Sequence, residues 1–259
     1  MPFSRSWRHH QVEITTVADR PHLAGAALDA GPWPEFMRHN RVSEAYFHRT
    51  LTAFPSTCLI ATTPDGQVVG DAHAVQLAAR PELPTGGWEQ AVVWAFADLH
   101  SGVRPDTTCA LNISVAHHLQ GQGLAAALLS ALREAAADLG HHTLQAPVRP
   151  SQKSVEPRTP MAEYVARTRP DGLPYDAWLR THARAGGEIV GVAPASWVVA
   201  GSLAEWRRWT GLPFDASGEL EVPGALTTVR CAVAQDQALY VEPNVWVLHR
   251  LKVVGGSRV

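Results

Sequence analysis

Six residues, Gln-Gly-Gln-Gly-Leu-Ala from Gln120 to Ala125, join an alternating apolar run (Cys109 to Ala116) to a stretch with helical spacing. Two glycines at such a junction let the chain turn through positive φ and let a ligand approach the backbone closely. The first N–H groups of a helix have no partner within it, and the helix dipole adds partial positive charge there. A strand–loop–helix junction of this kind suits a phosphate or pyrophosphate. A second stretch of similar form, Gln67 to Ala72, sits inside a hairpin with no helix after it, so it lacks those donors.

Other residues of interest are more scattered. Glu242 and Asn244 flank Pro243, which interrupts a strand and predicts a bulge or an edge whose polar groups line a substrate pocket. The pairs His9-His10, His117-His118 and His141-His142 do not have metal-ligand spacing. Neighbours on a strand point to opposite faces and no third ligand lies near, so the sequence predicts no metal. Cys58, Cys109 and Cys231 read as small buried hydrophobes.

These residues need elements to position them. Val12 to Val17 alternates as a strand, and Arg20 to Gly31 follows as a short helix. Pro32 to Pro55 has helical spacing after its prolines. Thr57 to Ala78 predicts a hairpin turning at Pro64-Asp65-Gly66, and Gly87 to Gly102 predicts a helix. After the strand at Cys109 comes a helix with Leu124, Leu128, Leu132 and Leu139 on one stripe, ended by Gly140. Thr143 to Val148 is the next strand. Arg149 to Pro174 is a proline- and charge-rich excursion with one short helix. Tyr175 to Gly187 and Ser202 to Gly211 predict helices around a strand pair or bent strand at Glu188 to Gly201. Two strands around Gln235-Asp236-Gln237 close the chain. The result is an α+β chain with a mixed sheet.

The pattern Gln-x-x-Gly-x-Ala at Gln120, between a strand and a helix, resembles the donor-binding loop of the GNAT superfamily of N-acyltransferases. The resemblance covers about Glu13 to Ile189. It implies a mixed, mostly antiparallel sheet splayed between the fourth and fifth strands, flanked by helices, with a C-terminal β-rich extension. Residues 1–259 would form a single GNAT-like domain. Within it, 1–150 would be the donor-binding core, and 151–259 an insertion plus a C-terminal elaboration completing the acceptor side. The donor's phosphates would lie on Gln120, Gly121, Gln122, Gly123, Leu124 and Ala125. Its pantetheine arm would run along the backbone of Ile113, Ser114 and Val115.

By the same resemblance, the position of the usual glutamate base, eleven residues before the motif, holds Cys109, which leaves the base unassigned. The usual Tyr-x-x-x-Gly acid is replaced by His182 ahead of Gly186, where an imidazolium would protonate the departing thiolate. Glu35 falls in the region that walls the acceptor, where it would hold or deprotonate an amine. The resemblance implies direct acyl transfer from a phosphopantetheine thioester, on coenzyme A or an acyl carrier protein, to the amine of a small molecule. Such a reaction would suit specialised-metabolite biosynthesis. The alternative is a GNAT-shaped module that senses acyl-coenzyme A without turnover.

The loop is poor in basic residues, with no arginine or lysine from Ser114 to Leu132. Arg149, Arg158, Arg167 and Arg169 in the excursion are the candidate docking residues for a carrier protein. The net charge of −2 gives no footprint for nucleic acid, and no apolar run approaches a membrane span or a signal peptide. The expected location is the cytoplasm.

Overall fold

The computed structural model describes residues 6–26 and 33–252. The expected helix from Arg20 to Gly31 is seen there only as a 3-10 helix, Pro21–Ala26; its remainder lies outside the described residues. Strands β1 (Ser6–His9), β2 (Val12–Thr16), β3 (Leu59–Thr62), β4 (Val68–Leu77) and β5 (Thr107–Val115) follow one another as antiparallel neighbours. Then come β6 (Thr143–Val148), β7 (Glu188–Gly201), β8 (Gly218–Leu220), β9 (Val229–Ala232) and β10 (Gln237–Arg250). All ten belong to one sheet, in the order β1-β2-β3-β4-β5-β6-β10-β9-β8, with β7 on the other edge of β10. The extra strand β1 makes the splayed pair β5 and β6, one number later than the sequence suggests.

The helical stretch from Trp33 to Pro55 is broken into a 3-10 helix (Glu35–His39), α1 (Arg41–Tyr46) and α2 (Thr50–Ala53). Asn40 makes the break: it is extended, and its side chain caps α1 by accepting the Ser43 N–H at 2.8 Å. The Asn40 amide also donates to Val198 O at 2.9 Å, so the break is tied to β7. Helix α3 (Gly87–His100) starts against the same strand. Gly87 has φ +47°, and a Cβ there would lie 2.2 Å from Ser196 Oγ, so only glycine permits this approach.

Helix α4 (Leu124–Asp138) buries Leu124, Leu128, Leu129 and Leu132 against β4 and β5. Each such leucine contributes about 2 kcal/mol of burial, an upper figure because unfolded chains already hide some surface. Leu139, expected on that stripe, is the C-cap residue and is exposed; Ala135 and Ala136 continue the buried face. The remaining helices are α5 (Met161–Val165), α6 (Ala177–Arg184) and α7 (Leu203–Thr210), the last opened by a Ser202–Glu205 capping box. Pro243 gives the expected bulge: the β7–β10 register shifts between Glu242 and Asn244.

Candidate active site

Strands β5 and β6 stay together for only three residues. Thr107, Thr108 and Cys109 pair in parallel with Thr143, Leu144 and Gln145. Beyond that clip, β5 keeps only β4 as a neighbour and β6 only β10. A cavity of about 400 Å³ occupies the opening, walled by Ala110 to Ile113 on one side and Ala146 to Arg149 on the other.

The register of β5 on β4 slips at Leu111, which has no partner between His73 and Ala74. The Leu111 carbonyl accepts the Trp88 indole N–H at 3.0 Å, on the side away from β4. Ala116 N–H bonds to Val69 O, so by alternation Ser114 also spends its main-chain groups on β4. Ile113 and Val115 turn theirs toward the opening. Of the three expected pantetheine contacts, Ile113 is therefore free to serve, Val115 O already accepts the Gln120 side chain at 3.3 Å, and Ser114 faces the wrong way.

The loop that follows is stitched by its glutamines, with Gln122 Nε2 donating to His118 O at 2.9 Å. Gly121 and Gly123 have φ +75° and +88°, the left-handed region where a Cβ is strained. Gly123 opens α4 with no side-chain cap, which leaves the first-turn donors open. Leu124 is core, and Ala125 in the first turn lines the cavity. Strand β1, not foreseen because its four residues carry no alternation, brings His9 to the loop. Its Nε2 lies 2.8 Å from Gln122 O.

The opposite end of the cavity is built by residues far apart in sequence. Trp197 and Glu242 are direct cross-strand partners on β7 and β10, and both line the wall. Glu242 is only 1% exposed. Arg149 Nε donates to both of its oxygens at 3.1 and 3.0 Å, Tyr240 O–H at 2.5 Å and Asn244 Nδ2 at 3.1 Å. Arg149 also donates to Gly224 O at 2.6 Å and lies over Trp33. Burial opposes the Arg149 charge, but Glu242 holds its pKa above the usual range, so it stays a cation. Burial, then Glu242, likewise pushes the Tyr240 hydroxyl up.

Arg149 is thus an interior cavity residue and not part of a surface patch. The other three excursion arginines are ion-paired too: Arg158 with Glu221, Arg167 with Glu156 and Glu163, Arg169 with Asp171.

His182, on α6, reaches the cavity and is 2% exposed. Its Nδ1 lies 3.0 Å from His249 Nε2, and Trp178 packs edge-on against its ring. Burial first, and then His249, lowers its pKa to about 3. At neutral pH the ring is therefore neutral, not the imidazolium anticipated from the sequence. Cys109 is fully buried, and burial raises its thiol pKa, so it offers no base. Glu35 is not brought to this site: its side chain is 56% exposed and pairs with Arg38 and His39 of its own helix. Among the described residues, no group of three His, Cys, Asp or Glu could hold a metal ion, and no helix is long and apolar enough to cross a membrane.

A mixed sheet parted beside a glycine turn, with one cavity running from a helix start to a polar far wall, defines an acyltransferase of the GNAT type. Sequence comparison agrees: the chain is 32% identical over 269 aligned residues to the arginine N-acetyltransferase avaD of Aspergillus versicolor, covering 91% of this chain and 93% of that one. The chain belongs to the GNAT superfamily and is an N-acyltransferase. No family model matches it. In fold it is similar to the loading GNATL domain of CurA from Lyngbya majuscula (TM-score 0.58, 17% identity, 92% of this chain and 97% of that one). It is also similar to the GphF GNAT-like decarboxylase in complex with isobutyryl-CoA (TM-score 0.54, 18% identity, 94% and 100%).

Proposed function

We propose that the chain moves an acyl group from acyl-coenzyme A to the amine of a small molecule by direct attack. One observation carries this: a single cavity touches both the first turn of α4, at Ala125, and the polar wall at Glu242. A thioester entering past the loop meets an amine entering from the other end. Residues 1–150 bind the donor, with phosphates on the open amides of Gln120 to Ala125 and the arm beside Ile113. Residues 151–259 supply His182, Trp197, Glu242 and Asn244, and so complete the acceptor side within one domain.

Much of the rate comes from alignment of the two reactants and from backbone N–H groups on the developing oxyanion. His182 serves from its neutral ring as a hydrogen-bonding partner of the reacting groups. Glu242 and Asn244 wall the acceptor. Glu35, exposed and paired with Arg38 and His39, is given no part in the chemistry. Arg149 is interior and Arg158 and Arg167 are held in short ion pairs, which leaves only Arg169, in a long 3.6 Å pair with Asp171, as a loosely held charge of the four to meet a carrier protein and so favours coenzyme A as the carrier.

The relative's acceptor, arginine, is the first amine to test. Release of free thiol from acetyl-coenzyme A with a panel of amines, repeated with the acyl group on bare pantetheine and on a carrier protein, tests each part. Thiol release with no amine would overturn the function, and a preference for the carrier protein would overturn the donor.

A further inference from the structure

The charges around the cavity do not balance. Among the described residues, its charged lining side chains are Arg38, Arg149 and Glu242, two guanidinium groups against one carboxylate. Arg149 and Glu242 satisfy each other directly, through the paired contacts at 3.0 and 3.1 Å. His182 adds no charge at neutral pH. The surplus is therefore Arg38, which lies where the wall reaches solvent, its side chain 51% exposed. Its ion-pair partner is Glu35, at a long 3.8 Å and itself 56% exposed. An exposed pair of that length is easily exchanged for a better anion.

The backbone that carries Arg38 is nevertheless fixed. Phe36 and Met37 beside it are buried, Asn40 is bonded to Val198 O, and His39 stacks on Trp209 at 4.1 Å. The 3-10 helix thus holds a guanidinium at the acceptor end, while the acyl-pantetheine arm that fills the strand gap is uncharged.

We infer that the acceptor is an amino carboxylate, its carboxylate bound by Arg38 at the entrance while its neutral amine reaches inward to the thioester. This rests on the proposed acyl transfer and goes further, since it selects amino acids over simple amines. In its reactive form, an α-amino acid carries one negative charge, which complements the surplus positive charge of the wall. A guanidinium recognises a carboxylate through two parallel hydrogen bonds, a geometry that glutamine at the same place cannot reproduce.

The test compares wild type and Arg38→Gln with acetyl-coenzyme A and a panel of L-amino acids, each beside the amine that lacks its carboxylate. Wild type is expected to favour the amino acid in kcat/KM by roughly 10–100-fold, mostly through KM. Arg38→Gln is expected to erase that preference by bringing kcat/KM for the amino acids down to that of the simple amines. Equal use of acid and amine by wild type, or an equal loss on both in the variant, would overturn the inference while the acyl transfer stands. A parallel arm compares succinyl- with butyryl-coenzyme A on one simple amine. A preference for succinyl that depends on Arg38 assigns the residue to the acyl group and also overturns the inference. If no amine releases thiol, the proposed function falls. Calorimetry of the same amino acids and amines then decides the inference alone: carboxylate-selective binding lost in Arg38→Gln supports it, and its absence refutes it.

Discussion

Replacing Glu242 by glutamine keeps the size of the side chain and removes one buried charge. The carboxylate it replaces takes donors from Arg149, Tyr240 and Asn244 and is almost wholly out of water. Breaking a buried ion pair from one side costs about 3–5 kcal/mol because the other charge is left uncompensated. Arg149 retains 22% side-chain exposure and its bond to Gly224 O, so the lower end, about 3 kcal/mol, is expected. For a chain of this size, that corresponds to a fall in Tm of roughly 6–12 °C. Arg149→Met alone strands the carboxylate instead and costs a similar amount. The double variant has neither charge, so its cost is expected to fall short of the sum by about 2 kcal/mol. The assay is urea unfolding of all four proteins followed by tryptophan fluorescence, with the slopes compared to confirm that the native states are alike. Additivity within about 0.5 kcal/mol would refute the reasoning, because it would mean the two groups do not depend on each other.

Gly123→Val places a branched side chain at φ +88° with its Cβ about 3.3 Å from His9, and is expected to abolish donor binding by calorimetry while the protein stays folded. Gly70→Val, in the similar hairpin stretch, meets Leu128 and Ser114 O at 3.1 Å and is expected to lower Tm without a specific effect on donor affinity. Cys109→Ala is expected to leave kcat within about twofold from pH 7 to 9, since its buried thiol holds its proton; a loss on the order of 10²-fold would restore it as a catalytic group. His73, His182 and His249 are buried with pKa values lowered to about 4, 3 and 4. Each binds its proton in the unfolded chain near pH 6.5 but not in the folded one, so stability is full above 6.5 and falls as pH drops toward 4. The slope is up to roughly 1.4 kcal/mol per pH unit for each histidine, and flat urea midpoints from pH 7 to 5 would refute the burial argument. The same low pKa predicts that kcat shows no inflection from His182 between pH 5 and 8, while His182→Phe lowers kcat on the order of 10²-fold.

The strand, turn and helix of the proposed donor side were legible because their signals are local. Two glycines, the alternation before them and the leucine stripe after them all fall between Cys109 and Leu132, and the structure places strand, turn and helix there. The far wall of the cavity, the proposed acceptor side, was not, because it is assembled by pairing across long stretches of chain. Glu242 meets Arg149 across 93 residues, and Trp197 meets Glu242 only through the β7–β10 register. Position in sequence placed Arg149 in a surface excursion and Glu35 at the acceptor, whereas Arg149 lines the cavity beside Glu242 and Glu35 lies exposed. Strands β1 and β8, of four and three residues, are too short to carry a period. The residue type of His182 was readable, but its charge was not, since that depends first on burial and then on His249, 67 residues away.

The three-residue clip between β5 and β6 also sets how the molecule can change its width. Strand β6 is fastened along its whole length to β10, and β10 to β7, so these three strands form one plate, joined to β5 only at Thr107–Cys109 and Thr143–Gln145 but also tied to α3 through Ser196 and Val198 and to Asn40 through Val198. Widening the gap between β5 and β6 costs no ladder hydrogen bond beyond the clip, but it strains the bonds that Trp88, Glu89 and Asn40 make to β7. The plate carries Glu242 and Trp197, so any such widening also moves the far wall of the cavity. The two ends of the cavity are mechanically geared, and the clip together with these ties to β7 is where the gear ratio is set.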